Sequence, residues 1–264
     1  MVKAAAALSF YAQGIAAPLP RALLAAERWP GIDARLPAGR VVGEHAAKKF
    51  LHQAGIEITR ESLARSADEA VRLAHALGYP VCLKVVSPDI PHRTEIGAVR
   101  LDLRNDDQVR AAHDSILAAS RKAVPGARVD GILVQEMVQG GCELIISAFR
   151  DPKLGPAVIC GVGGILVEVL KDTVMRLAPV SEAEARAMLN DLKGAAILAG
   201  VRGAPAADID AAARAIRRLS EIIVAGDATI DTIEINPLAV LPAGRGVRAL
   251  DALITRAARP ETSR

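Results

Sequence analysis

Aromatic residues are scarce: one Trp, two Tyr and three Phe among 264 residues, 2% of the chain. Sequence-tolerant binding of single-stranded nucleic acid stacks bases on aromatic platforms, so this composition speaks against that class. Charge of one sign is also lacking. Thirty-three Lys and Arg against thirty Asp and Glu leave a formal net charge of +3, spread along the chain. That supplies no electrostatic footprint for a nucleic acid. No uninterrupted apolar run approaches the ~18 residues of a membrane span. Three cysteines, Cys82, Cys142 and Cys160, are widely spaced and odd in number, each in an apolar stretch. They form neither a disulfide framework nor a C-x-x-C zinc pattern, and read as small buried hydrophobes in a reducing, cytoplasmic compartment. Residues 1–17 are alanine-rich after Lys3 and mimic a secretory leader. Gln13 and Gly14 break that run and no cleavage site follows, so no leader is expected.

What is present is a globular composition, 51% apolar and 24% charged, at a length suited to one or two domains. Residues 1–40 carry Pro18, Pro20, Pro30 and Pro37 without a sustained period, and read as an extension or linker with a short helix near 21–29. From Gly43 the pattern tightens. Helical spacing covers 44–54, 67–77, 106–121, 181–192 and 207–224. Within the fourth, Ser181 and Glu184 stand at capping-box spacing. Short apolar or alternating runs predict strands at 80–86, 98–103, 131–138, 143–149, 157–162, 173–178, 229–241 and 247–253. Helices and strands interleave without a plain βαβ array. The class is α+β or α/β, with two lobes and a cleft between them.

Several residues carry chemistry. Lys84 sits mid-strand among apolar residues, where its ammonium either snorkels to solvent or faces a ligand. The polar loop that follows, Ser87 to Gly97, holds Pro91, His92, Arg93 and Thr94, side chains suited to an anion. Glu136 and Glu143 flank a turn built on Gly140 and Gly141. They are either solvated charges or a pair that reaches a sugar's hydroxyls, with the backbone of Met137 and Val138 meeting a base edge. The run Gly161-Val162-Gly163-Gly164 lacks the third glycine of a dinucleotide fingerprint, because position 166 is Leu. Glu234 and Asn236 leave one face of a strand by alternation, and Asp251 interrupts the next apolar run. Paired strands would bring Asn236 and Asp251 together as oxygen ligands for a hard cation; alternatively Asp251 ends its strand or pairs with Arg248.

Taken in order, GYPVCLKVVSPDIPHRTEIGAV (78–99), GILVQEMVQGGCE (131–143), DPKLGPAVICGVGGILVEVLKD (151–172), EINPLAVL (234–241) and ALDALI (249–254) resemble the ATP-grasp β subunit of the ADP-forming acyl-CoA synthetases, relatives of succinyl-CoA synthetase. The resemblance spans about 43–255 and implies an ATP-grasp fold. Its two α+β lobes, over 41–134 and 135–256, would hold the nucleotide between them, with 257–264 as a tail. It implies that Lys84 contacts the ATP phosphates and that Pro91, His92 and Arg93 lie over the triphosphate. Glu136 and Glu143 would hold the adenosine end, Met137 and Val138 the hinge, and Asn236 and Asp251 Mg²⁺. His92 matches a histidine implicated as a phosphate carrier in the ADP-forming acetyl-CoA synthetases. Two departures stand out: Gly97-Ala98 replaces a Gly-Gly pair, and Arg93 replaces a lysine. The implied function is ADP-forming acyl-CoA ligase chemistry on ATP/ADP and a carboxylic acid or acyl-CoA. The implied partner is a CoA-binding α subunit with a phosphohistidine domain, in an α2β2 hetero-oligomer without nucleic acid or membrane. A stand-alone ATP-grasp carboxylate–amine ligase would keep Lys84, Asn236 and Asp251 but not need His92. A non-catalytic nucleotide-sensing subunit would keep the pocket without turnover.

Overall fold

A computed structural model describes residue 36 and residues 41–90, 93, 95–163, 172–200, 203–226 and 229–256. The extension before residue 36, the helix expected near 21–29, the tail after 256, and Pro91 and His92 lie outside the described residues.

Two antiparallel sheets organise the chain, which settles the class as α+β. The smaller holds β2 (Glu61–Ala64), β3 (Val81–Val86), β4 (Val99–Leu103) and β5 (Gly131–Glu136), in the order β2-β5-β3-β4. Helices α2 (Ala67–Leu77) and α3 (Asp106–Ala123) cover one face. The Ser66 side chain caps α2 by accepting from the Glu69 amide, and Asn105 caps α3 by accepting from Gln108. Ala70, Val71 and Ala74 of α2 and Val109, Ala112 and Ile116 of α3 meet Leu83, Val85, Ile132 and Val134 in one core.

The larger sheet holds β1 (Val41–Val42), β6 (Cys142–Asp151), β7 (Gly155–Val162), β8 (Thr173–Leu177), β9 (Ile230–Val240), β10 (Val247–Ala249) and β11 (Ala252–Arg256). Its order is β1-β11-β9-β6-β7-β8, with β10 also paired to β9. Helices α4 (Glu182–Asn190) and α6 (Ile209–Ala225) pack on this sheet, with the single turn α5 (Ala195–Leu198) between them in the chain. The capping box at Ser181 and Glu184 forms as the spacing predicts. Alternation on β6 sends Leu144, Ile146 and Ala148 into a second core.

Three expectations need correction. Helix α1 (Glu44–Gln53) follows the boundary expected near residue 41, yet Ala47, Phe50 and Leu51 belong to the core of the larger sheet. Residues 42–56 therefore pack with the second lobe, because β1 pairs with β11 at the far end of the chain. The strand expected over 247–253 is two strands broken at Leu250 and Asp251. At the break the Leu250 amide turns to the Pro237 carbonyl (3.0 Å) and its own carbonyl to buried lysines. The strand expected over 131–138 ends at Glu136, and residues 137–141 link the two sheets.

That link depends on one glycine. Gly141 has φ +87°, and a Cβ there would stand 2.2 Å from the Val240 carbonyl oxygen. Gly140 has φ +76° with nothing within 4 Å of its virtual Cβ. Gly141→Ala is expected to cost roughly 2–4 kcal/mol in denaturant unfolding, against about 1 kcal/mol for Gly140→Ala, which carries only the left-handed penalty. Equal losses at the two positions would show that the Val240 contact relaxes freely.

Candidate active site

The site begins on β3, in the interior of the smaller sheet. Leu83 and Val85 enter the helix-covered core, so Cys82 and Lys84 point the other way, into a cavity of about 770 Å³ between the two sheets. Lys84 is buried, and its ammonium does not snorkel free. Nζ donates to Glu44 Oε1 (2.8 Å) and to the Leu250 carbonyl (3.1 Å), with Asp251 Oδ2 at 3.9 Å. Arg93, from the loop after β3, donates through Nη1 to Glu44 Oε2 and through Nη2 to both Asp251 oxygens (3.1 and 3.3 Å). Asp251 thus pairs with Arg93, not with the Arg248 that its sequence neighbourhood offers.

Behind this layer lies Lys48, fully buried on α1. Its three N–H groups are shared among five acceptors within hydrogen-bond distance of Nζ: Glu61 Oε2, Thr59 Oγ1 (2.7 Å), the Leu250 carbonyl (3.2 Å), Gln135 Oε1 (3.3 Å) and Glu44 Oε1 (3.4 Å). Three cations, Lys48, Lys84 and Arg93, therefore face three carboxylates, Glu44, Glu61 and Asp251. Burial alone would raise the Glu44 carboxyl, but Lys84, Lys48 and Arg93 outweigh it and hold the pKa at about 2. Asp251 goes the opposite way. Burial and the Glu44 charge push it up, and Lys84 and Arg93 only partly offset them. Burial works against the charge on Lys84 and Arg93, yet Glu44 and Asp251 raise both net, so both cations stay protonated.

The opposite wall comes from the larger sheet. Glu143 on β6, Asn236 on β9 and Asp251 beside β11 line the same cavity as Lys84 and Arg93. The Asn236 amide N–H donates to the Asp251 carbonyl (3.2 Å), which fixes the two residues side by side as the hairpin reading expects. The Asn236 side-chain NH₂ donates to Glu234 Oε1 (3.2 Å), so the side-chain oxygen is the atom left for a cation. One carboxylate and one amide oxygen suit Mg²⁺, a hard ion that takes one or two protein oxygens and fills its octahedron with phosphate and water. Among the described residues no cluster of three or more His, Cys, Asp or Glu could hold a metal by itself. At the linker, Glu136, Met137 and Val138 line the cavity beside Cys82, Val99 and Leu101, an apolar setting for a flat ring. Glu136 is no free charge. Its carboxylate accepts from the Arg60 amide (2.9 Å) and Nε (2.6 Å).

Of the sequence-predicted residues, Lys84, Arg93, Glu136, Met137, Val138, Glu143, Asn236 and Asp251 converge on this one cavity. Sequence reasoning missed Glu44, Lys48, Gln135 and the Leu250 carbonyl. The signal for the first two was available: they share the buried stripe of α1 with Ala47 and Leu51, where a charged side chain needs a partner. Cys82 lies at the cavity wall and Cys160 in a core, both with thiols raised by burial, to about 11 and about 12; Cys142 is only partly buried. Among the described residues no helix is long and apolar enough to cross a membrane.

This architecture matches known proteins. A family model described as an ATP-grasp domain matches residues 34–255. The chain is 35% identical over 224 residues to the β subunit of ADP-forming acetate–CoA ligase II of Pyrococcus furiosus, covering 84% of this chain and 95% of that one. It is 42% identical over 209 residues to ADP-forming acetate–CoA ligase I of Archaeoglobus fulgidus, covering 79% of this chain and spanning 30% of that longer relative. Among solved structures it resembles the acetyl-coenzyme A synthetase 1 of Candidatus Korarchaeum cryptofilum in complex with coenzyme A and Mg-AMPPCP, its phosphohistidine segment pointing towards the nucleotide binding site. The TM-score is 0.72 and the identity 36%, over 83% of this chain and 93% of that one. The chain belongs to the ATP-grasp domain family, among the relatives of the β subunits of ADP-forming acetate–CoA ligases.

Proposed function

We propose that the chain is the nucleotide-handling β subunit of an ADP-forming acyl-CoA ligase. The observation that carries the reading is the convergence of Lys84 and Arg93 from one lobe on Asn236 and Asp251 from the other, across one cavity. Phosphoryl transfer needs positioning and charge neutralisation more than covalent help from the protein. Lys84 and Arg93 supply fixed cationic donors for the phosphates. Glu143 and Glu136 hold the nucleoside end, with Met137 and Val138 at the base. Asn236 and Asp251 hold Mg²⁺, which when bound neutralises phosphate charge. His92, in the loop that carries Arg93, takes the γ-phosphoryl group: its neutral imidazole nitrogen forms the N–P bond as the bond to the ADP oxygen breaks. The phosphate then passes to a histidine of a CoA-binding partner subunit and on to the acyl group, whose acyl phosphate yields the thioester with CoA. The likeness to a separate β subunit over 95% of its length supports a two-subunit enzyme. An α2β2 assembly in the cytoplasm is part of the same reading.

The test is labelling of the full chain with Mg²⁺ and γ-phosphate-labelled ATP, beside His92→Asn. The expected result is a label lost in acid, stable in base and absent from the variant. A variant that labels like the wild type overturns the role of His92. A variant that keeps full activity in joining a carboxylate to an amine replaces this reading with a stand-alone ligase.

A further inference from the structure

Glu44 stands apart from the groups assigned above. It belongs to α1, which packs with the larger lobe, yet it reaches across to two cations of the smaller one. Its two oxygens are divided between them: Oε1 accepts from Lys84, Oε2 from Arg93. The carboxylate does not line the cavity, whereas both cations do. It is 4% exposed and held from behind by Lys48, itself anchored on Thr59, Glu61 and Gln135. An ammonium has three N–H donors. Two of those on Lys84 go to Glu44 and to the Leu250 carbonyl, which leaves one for the cavity. On Arg93, Nη1 is committed to Glu44 and Nη2 reaches the cavity side at Asp251.

Resting on the proposed phosphoryl transfer, we propose that Glu44 is a positioning residue: one buried carboxylate aims Lys84 and Arg93 together at the phosphates and holds them across the lobe boundary. The general physics is that of the strand lysine and helix glutamate that must pair before a protein kinase transfers phosphate. Phosphate oxygens compete with Asp251 for the free edge of Arg93, while Glu44 keeps the other edge fixed. The cation is then reoriented without being set loose. The charge that attracts the nucleotide resides on Lys84 and Arg93. Glu44 therefore contributes geometry, which matters most when charge moves in the transition state.

Glu44→Gln separates the two effects. A carboxamide accepts through one atom and donates through the other, so it serves one cation and confronts the second. Titration calorimetry with Mg·ADP on the full chain is expected to give a Kd within about threefold of wild type. The rate of phosphoryl transfer from saturating Mg·ATP should fall by about 30-fold or more. Glu44→Asp keeps the charge but shortens the reach, so the rate should fall by only about three- to tenfold at unchanged Kd. Both variants are measured at a temperature where circular dichroism finds them folded. If the Gln variant does not fold, the Asp variant decides, with a lowered saturating rate at unchanged Kd as the expected sign. A Gln variant (or, in its place, an Asp variant) at the wild-type rate overturns the assignment, and so does a rate loss matched by an equal loss of Mg·ADP affinity, the pattern of a purely structural role. A wild-type chain that neither binds Mg·ADP nor transfers phosphate overturns the functional reading itself.

Discussion

Lys84→Met is expected to lower the saturating rate of phosphoryl transfer by about 10²–10³-fold, the usual effect of removing one preorganised donor from a developing negative charge. Methionine matches the length of the lysine stem, so the side of β3 that faces the cavity stays filled. What is lost is the ammonium that Glu44 and the Leu250 carbonyl hold 2.8 and 3.1 Å away. Glu44 retains Lys48 and Arg93 as partners, so the variant should fold and the loss should register in the reaction. Lys84→Arg is not a rescue. A planar guanidinium cannot occupy a buried point between a carboxylate and a carbonyl that a compact ammonium fills. Initial rates with saturating Mg·ATP decide the matter, and a Lys84→Met rate within about threefold of wild type would remove Lys84 from the phosphate site.

The local layer of this fold was legible because local chemistry and tertiary structure agree. Ser66, Asn105 and Ser181 stand where helix starts need an oxygen, and each caps its helix. β3 was readable from its apolar run, and the lysine inside it marked the cavity face correctly. The interruption at Asp251 was readable as a break in the apolar run, and the residue does line the cavity. Its consequence for the strand was not, because the break depends on two lysines pulling the Leu250 carbonyl out of register from 166 and 202 residues away. Helix α1 illustrates the same limit. Its boundaries follow from spacing and from Gly55 at φ +85°, while its lobe is chosen by the pairing of Val41 and Val42 with Thr255 and Ile254. The partner of Asp251 was open for the same reason. Arg248 is close to Asp251 in sequence, but Arg93 reaches it through the cleft. Glu44 and Lys48 violate the apolar pattern of α1, and functional sites are where such violations concentrate.

Lys48→Met should be the most destabilising of these substitutions, at about 3–5 kcal/mol, because breaking a buried ion pair leaves its other half uncompensated. Lys48 is wholly buried, and its partners differ in what they lose. Glu44 keeps Lys84 and Arg93, and the Leu250 carbonyl keeps Lys84. Glu61 does not fare as well. Its side chain is 3% exposed, and without Lys48 it keeps His45 Nδ1 (2.9 Å) and the Thr59 hydroxyl (3.2 Å). Most of the cost therefore falls on one carboxylate, and a second substitution should relieve it. Glu61→Gln in the Lys48→Met background keeps the shape and removes the stranded charge, so the double variant is expected to recover about half of the loss. Denaturant unfolding of wild type, both single variants and the double variant closes the cycle, with an unchanged m-value as the check that the transition is the same. A Lys48→Met loss below about 1 kcal/mol, or a double variant weaker than Lys48→Met alone, would mean that Glu61 finds another cation or reaches water. The cluster behind the cavity would then be a set of separable pairs rather than one interlocked network.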